Sequence, residues 1–159
     1  MHYFINGFVF LASFALMEFT AWFTHKYVMH TFGWTLHKDH HLKEHDSFFE
    51  LNDLYFTIFA VPGILLMYLG YNEGLYHITF WIGLGITVYG FAYLFVHDIF
   101  IHQRVRILTR TDNVYFAAMR KAHKIHHKHL GKEDGECFGF LWVPRKYINE
   151  AKRKKTNLL

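Results

Sequence analysis

Residues 74–102 read GLYHITFWIGLGITVYGFAYLFVHDIFIH, and no Asp, Glu, Lys or Arg occurs from Gly74 to His97. A helix rises about 1.5 Å per residue, so roughly 20 residues cross a hydrocarbon core of about 30 Å. This stretch is long enough, and it closes on the pair His97-x4-His102. Two other stretches share its character. Residues 1–25 carry Glu18 as their only charged side chain and lead into His25-x4-His30, while 54–72 carry none. The chain therefore reads as an all-α membrane protein with three transmembrane helices and a cytoplasmic helical cap. A fourth crossing would require 74–101 to split into two half-spans at Gly83, Gly85 or Gly90. Asn72 and Glu73 mark a tight hairpin between the second and third spans. Pro62-Gly63 predicts a kink in the second, which a helix in lipid tolerates.

Composition agrees. The 159 residues are 52% hydrophobic and 20% aromatic, with 18 Phe, which suggests a surface facing lipid. They form one domain, 1–159, with a basic tail at 145–159 expected to lie on the membrane surface or fray. A soluble helical hairpin would need more polar covering surface than the chain supplies. The first span lacks a basic leading segment and a small-x-small cleavage site, so it reads as a span and not as a secretory signal. The single cysteine, Cys137, excludes an internal disulfide and a thiolate metal cage.

Loop charge sets the orientation. The N-terminal tip and the 71–74 hairpin carry no Lys or Arg, whereas the 26–53 loop holds Lys26, Lys38 and Lys43 and the region after 103 is strongly basic. The positive-inside rule puts the N-terminus outside, and the loop and C-terminal region in the cytoplasm of a cell (inner) membrane. After the last span, Thr111-Asp112-Asn113 forms a helix start, and a helical pattern runs from Val114 to Leu130 before Gly131. Phe116, Met119, His123, His126, His127 and Leu130 share one stripe of that helix. Lys121, Lys124 and Lys128 lie off it, suited either to an acidic electron donor or to anionic lipid headgroups.

Ten of fourteen histidines fall into four clusters: His25-x4-His30, His37-x2-His40-His41, His97-x4-His102 and His123-x2-His126-His127. All four lie on the side that loop charge assigns to the cytoplasm. Imidazole is the commonest metal-binding side chain and ligates in its neutral form. The triplets stand at i, i+3 and i+4, on one helical face, and can converge on one or two ions. The x4 pairs stand about 140° apart on a regular α-helix. Either each pair gives one ligand to each ion, or a local π-bulge turns both members inward; spacing does not choose. A pure imidazole set suits Fe, Zn, Cu or Ni. Asp98 and Asp39 are candidate acceptors for ring N–H groups. His2, His77 and His129 read as bystanders, and His45 as a surface residue or an extra ligand.

These stretches resemble the membrane-bound fatty-acid hydroxylase superfamily and, within it, the bacterial β-carotene 3-hydroxylases. The likeness rests on HKYVMH (25–30), HKDHH (37–41), HDIFIH (97–102) and HKIHH (123–127). ELNDLY (50–55), GKE (131–133) and FGFL (138–141) add to it. It implies a non-haem di-iron monooxygenase with all ten histidines as ligands, zinc being able to replace iron in recombinant material. It further implies O2-dependent hydroxylation at carbon 3 of the β-ionone rings of β-carotene, giving β-cryptoxanthin and then zeaxanthin, with electrons from a ferredoxin-like donor. The expected partners are a carotenoid, O2, that donor and membrane lipid, with no nucleic acid. No side-chain acid or base cleaves an unactivated C–H bond, so a metal must supply the oxidising power. Two alternatives stand beside this: a hydroxylase or desaturase of a fatty acyl or sterol lipid, and a haem-binding electron carrier using His25 and His97.

Overall fold

The computed structural model describes residues 2–42, 47–133, 135–139 and 141–157. Among these residues six α-helices follow in order, α1 (His2–Thr24), α2 (Trp34–His41), α3 (Asp53–Glu73), α4 (Ile78–Tyr93), α5 (Val114–His126) and α6 (Arg145–Thr156). Among the described residues there is no strand. Two π-helical segments extend the first and fourth helices, His25–Met29 after α1 and Leu94–Ile101 after α4. Lys43 and His45 lie outside the described residues.

Among the described residues, three helical stretches are long and apolar enough to cross a membrane: His2–Met29, Asp53–Glu73 and Ile78–Ile101. The third is one unbroken stretch. Gly83 and Gly85, the candidate break points, serve helix packing. A Cβ on Gly83 would stand 2.5 Å from the Met67 backbone nitrogen, and one on Gly85 2.7 Å from the Phe10 carbonyl. Small residues let helices approach closely where lipid gives no hydrophobic drive to associate. α4 thus sits between α3 and α1. α3 continues helically through Pro62. The outward faces of α1 and α3 expose Phe4, Phe8, Ile64 and Tyr68, as a lipid-facing surface would.

The turn after α3 needs Gly74, whose φ is 111°, the left-handed region that favours glycine. Tyr3 and Tyr76 meet hydroxyl to hydroxyl at 2.7 Å. The start of α1 and the α3–α4 turn therefore share one end of the bundle. The histidine-bearing ends gather at the other, beneath α5 and α6. There Met17, Tyr89, Val96, Phe100, Ala118, Met119 and Tyr147 belong to one buried cluster joining membrane helices to cap.

Asn113 caps α5 as its sequence suggests, its side-chain oxygen accepting from the Tyr115 and Phe116 amides at 2.9 and 3.2 Å. The helix ends at His126 instead of Leu130. Tighter turns follow, with the Lys128 amide bonded to the Ile125 carbonyl and the His129 amide to that of His126. The departure turns the Leu130 carbonyl toward His30. Of the residues on the histidine stripe, Phe116 and Leu130 are exposed. Most of the basic tail, Arg145–Thr156, is helical: α6 packs on α5, buries Tyr147, and pairs Glu150 with Lys121.

Candidate metal centre

The ten clustered histidines meet in one place. His25, His30, His37, His41 and His126 each bring a ring nitrogen to within 4.8 Å of all the others in the group, and His40, His97, His102 and His123 do the same in a second group. His127 stands between the groups. Its Nε2 is 2.8 Å from that of His123, and its ring stacks on His41 with centroids 4.3 Å apart.

The π segments explain how the x4 pairs serve. The His30 amide bonds the His25 carbonyl at 3.1 Å and the His102 amide bonds that of His97 at 2.9 Å. An i→i−5 bond widens the turn, so residues five apart lie over one another. His25 and His30 therefore join the first group together, and His97 and His102 the second. The α-helical triplets do the opposite. His37 and His41 go to the first group and His40 to the second, while His126 goes to the first and His123 to the second. A residue at i+3 leans to the other side of the face from i+4, so each triplet straddles the two groups.

The surroundings fix which ring nitrogen faces inward. His25 Nδ1–H donates to the Phe138 carbonyl at 2.7 Å, His30 to Leu130 at 2.9 Å and His126 to Glu136 at 3.0 Å. His37 donates to Asn52 Oδ1 at 2.6 Å, His40 to Glu50 at 2.8 Å and His97 to Asp98 at 2.7 Å. A neutral ring that donates from Nδ1 keeps a bare lone pair on Nε2. Those lone pairs face one another: His25 and His37 Nε2 stand 3.0 Å apart, His30 and His126 3.2 Å. Opposed lone pairs repel unless a cation lies between them. The His40 Nε2, buried, has no hydrogen-bond partner. This donor set fits metal ions.

Protons do not compete well for these nitrogens. Burial pushes the imidazoles down, His37 to about 3, His127 to about 4 and His126 to about 2. Burial likewise lowers His30, His40, His41 and His123, and neighbouring imidazoles add to the effect at the last three. All are neutral at pH 7, the form that ligates. The bis-histidine haem arrangement fails, because His25 and His97 belong to different groups and their rings already touch other imidazoles, with centroids 4.8 Å (His25–His37) and 4.6 Å (His97–His102) apart.

Asp98 fills its expected place. Asp39 accepts from the Leu51 amide at 2.6 Å, fixing the loop that carries Glu50 and Asn52. Glu50 and Asn52 bond directly to His40 and His37, and only the family likeness of residues 50–55 hinted at them. Nor did the sequence disclose Arg104, which bonds Glu50 and Asp53 at 2.8 Å. Backbone carbonyls as ring acceptors leave no trace in residue identity at all.

Residues 10–144 match the fatty acid hydroxylase family. The chain belongs to the fatty acid hydroxylase family. Among relatives within reach of it, the beta-carotene hydroxylase of Pantoea ananas is 43% identical over 128 residues, 80% of this chain and 71% of that one. The beta-carotene hydroxylase of Paracoccus sp. (strain PC1) is 38% identical over 135 residues, 84% and 82%. The chloroplastic beta-carotene 3-hydroxylase of Gentiana lutea is 40% identical over 131 residues, 81% of this chain and 40% of the longer plant protein. No solved structure matches the chain.

This fatty acid hydroxylase also holds an apolar cavity of about 320 Å³ between its spans. Phe56, Phe59, Tyr89, Tyr93 and Phe138 contribute to its wall, and of the ten histidines only His25 and His37 reach it. Ile64 and Phe91 also line it and are 58% and 67% exposed, so the cavity opens on the lipid-facing surface. A carboxylate within a span helps shape it. Glu18 accepts from the Tyr89 hydroxyl at 2.8 Å and from the Leu141 and Trp142 amides at 3.0 Å each. That holds Leu141 and Trp142 against α1, close to Phe138, whose ring packs on His25, His30 and His126 of the first histidine group. Gly139 permits the approach, since a Cβ there would stand 2.9 Å from Glu18 Oε1.

Proposed function

We propose that this chain hydroxylates carbon 3 of the β-ionone rings of β-carotene, forming β-cryptoxanthin and then zeaxanthin. The reaction uses O2 and two non-haem iron ions held by His25, His30, His37, His41 and His126 on one side and His40, His97, His102 and His123 on the other, with His127 between. The observation that carries this reading is the apolar cavity that opens toward lipid and ends on His25 and His37. A polyene resident in the bilayer can enter such a cavity ring first without passing through water. The names of the bacterial and plant relatives support the same substrate.

The residues have separate tasks. The aromatic wall excludes water and orients the ring. Phe138, edge-on to His25, His30 and His126, closes the cavity floor over the first group. The oxygens on Nδ1 keep the Nε2 atoms of His25, His30, His37, His40, His97 and His126 aimed inward. Iron, when bound, supplies the oxidising power to break an unactivated C–H bond with O2 and two electrons. The electrons come from a ferredoxin-type donor, for which the exposed Lys124 on α5 and Lys128 in the turn after it offer complementary charge close to the histidines. The orientation is N-terminus outside, with the histidine groups and α6 in the cytoplasm of the inner membrane.

Expression in cells that make β-carotene tests the reading. β-Cryptoxanthin and zeaxanthin should accumulate, and His40→Ala or His126→Ala should abolish both. A hydroxylated acyl or sterol pool with unaltered β-carotene would overturn the substrate. Full activity in both variants would overturn the ligand assignment.

A further inference from the structure

The ring N–H bonds around the two histidine groups differ in kind. In the first group the described acceptors are all neutral: the carbonyls of Phe138, Leu130 and Glu136, and Asn52 Oδ1. In the second, His40 donates to the Glu50 carboxylate at 2.8 Å and His97 to that of Asp98 at 2.7 Å. Arg104 binds this acidic side together. Its Nη2 is 2.8 Å from both Glu50 Oε2 and Asp53 Oδ1, and its Nη1 is 4.0 Å from Asp98 Oδ2. The three side chains are nearly covered, with relative exposures of 11% for Glu50 and 13% for both Asp98 and Arg104.

We propose that the two metal positions are inequivalent by construction, because Glu50 and Asp98, fixed by Arg104, are positioning residues that make the second histidine group the stronger electron donor. The inference rests on the reading that the histidines hold two ions. An imidazole whose N–H points at an anion is drawn partway toward imidazolate, and its opposite nitrogen becomes a better donor. The anion's own charge also reaches the ion, and does so more strongly where water is excluded. A carbonyl or amide orients the ring equally well and adds no charge. The second position therefore favours the more highly charged state of an ion bound there. The first position, which alone touches the apolar cavity, holds the lower charge state more readily. The substrate-facing ion and its neighbour are thus set apart before substrate arrives.

Cobalt(II) titration tests this in the metal-depleted full chain in lipid nanodiscs, read by visible absorption. The wild type should take up two equivalents. Asp98→Asn and Glu50→Gln can still present an oxygen to the ring but lose the charge. Each should weaken one equivalent by about 10- to 100-fold and leave the other within about twofold. Asn52→Ala, which removes the acceptor of His37, should weaken the other equivalent. Asp98 and Glu50 sit on different segments, so agreement between them separates a charge effect from local misfolding, and disagreement overturns the proposal. Two equivalents in the wild type with both, or neither, shifted by Asp98→Asn also overturn it. Fewer than two equivalents in the wild type would instead sink the two-metal reading itself.

Discussion

Replacing Glu18 by Ala should loosen the segment that covers the first histidine group and lower the metal content of the purified protein. Three donors converge on this carboxylate, the Tyr89 hydroxyl at 2.8 Å and the Leu141 and Trp142 amides at 3.0 Å. A hydrogen bond to a charged group contributes about 1.5–3 kcal/mol, so three set an upper bound of about 4.5–9 kcal/mol. Leu141 is partly and Trp142 largely exposed, so water can recover some of the lost bonding. We expect a net loss of about 3–5 kcal/mol, which for a chain of this size lowers the melting temperature by about 10 °C. Glu18→Gln keeps one oxygen for the two amides and turns its NH2 to the Tyr89 hydroxyl, which then accepts, so the bonds persist without the charge assistance that about doubles a bond's strength. Its shift should be about half as large. The same segment presents the Phe138 carbonyl to His25 Nδ1, so the Ala variant should also lose iron in proportion to its instability. Thermal unfolding in detergent and iron per chain measure both. A Gln variant as damaged as the Ala variant, or an Ala variant within about 2 °C of wild type, would refute the argument from the three donors.

Gly90 lines the cavity, and a Cβ there would meet the Phe56 ring at an ordinary 3.6 Å, so Gly90→Ala should behave as wild type while Gly90→Trp fills the space. The Trp variant should lose at least about tenfold in kcat/KM for β-carotene with its metal content intact; unaltered turnover would move the substrate elsewhere. In metal-free protein, acid should destabilise the fold. Unfolded histidines take up protons below about pH 6.5, whereas His37, His127 and His126 resist until about 3, 4 and 2. Stability should therefore be flat above pH 6.5 and fall as pH drops below it. Melting temperatures of chelator-treated protein between pH 8 and 5 check the sign, and a rise on acidification would contradict the burial of neutral imidazoles.

The sequence by itself determined the three spans, the common end at which the histidines collect, the cap on α5 and the candidate metal chemistry. Each of these follows from a one-dimensional property: an uncharged run of membrane length, the sign of loop charge, an Asn before a helical pattern, the spacing of imidazoles. The tertiary structure alone decided how the histidines divide. His25 and His30 share a group because a π turn follows α1, and no residue pattern distinguishes that turn from continued α-helix. His37 and His40 part because α2 lies across both groups. The acceptors on Nδ1 come from residues 113, 100 and 10 positions away for His25, His30 and His126, and they are backbone carbonyls, which every residue carries alike. Only the packing of Leu141 and Trp142 against Glu18, and of Glu50 and Asp98 around Arg104, turns a set of well-spaced histidines into two donor sets with different surroundings.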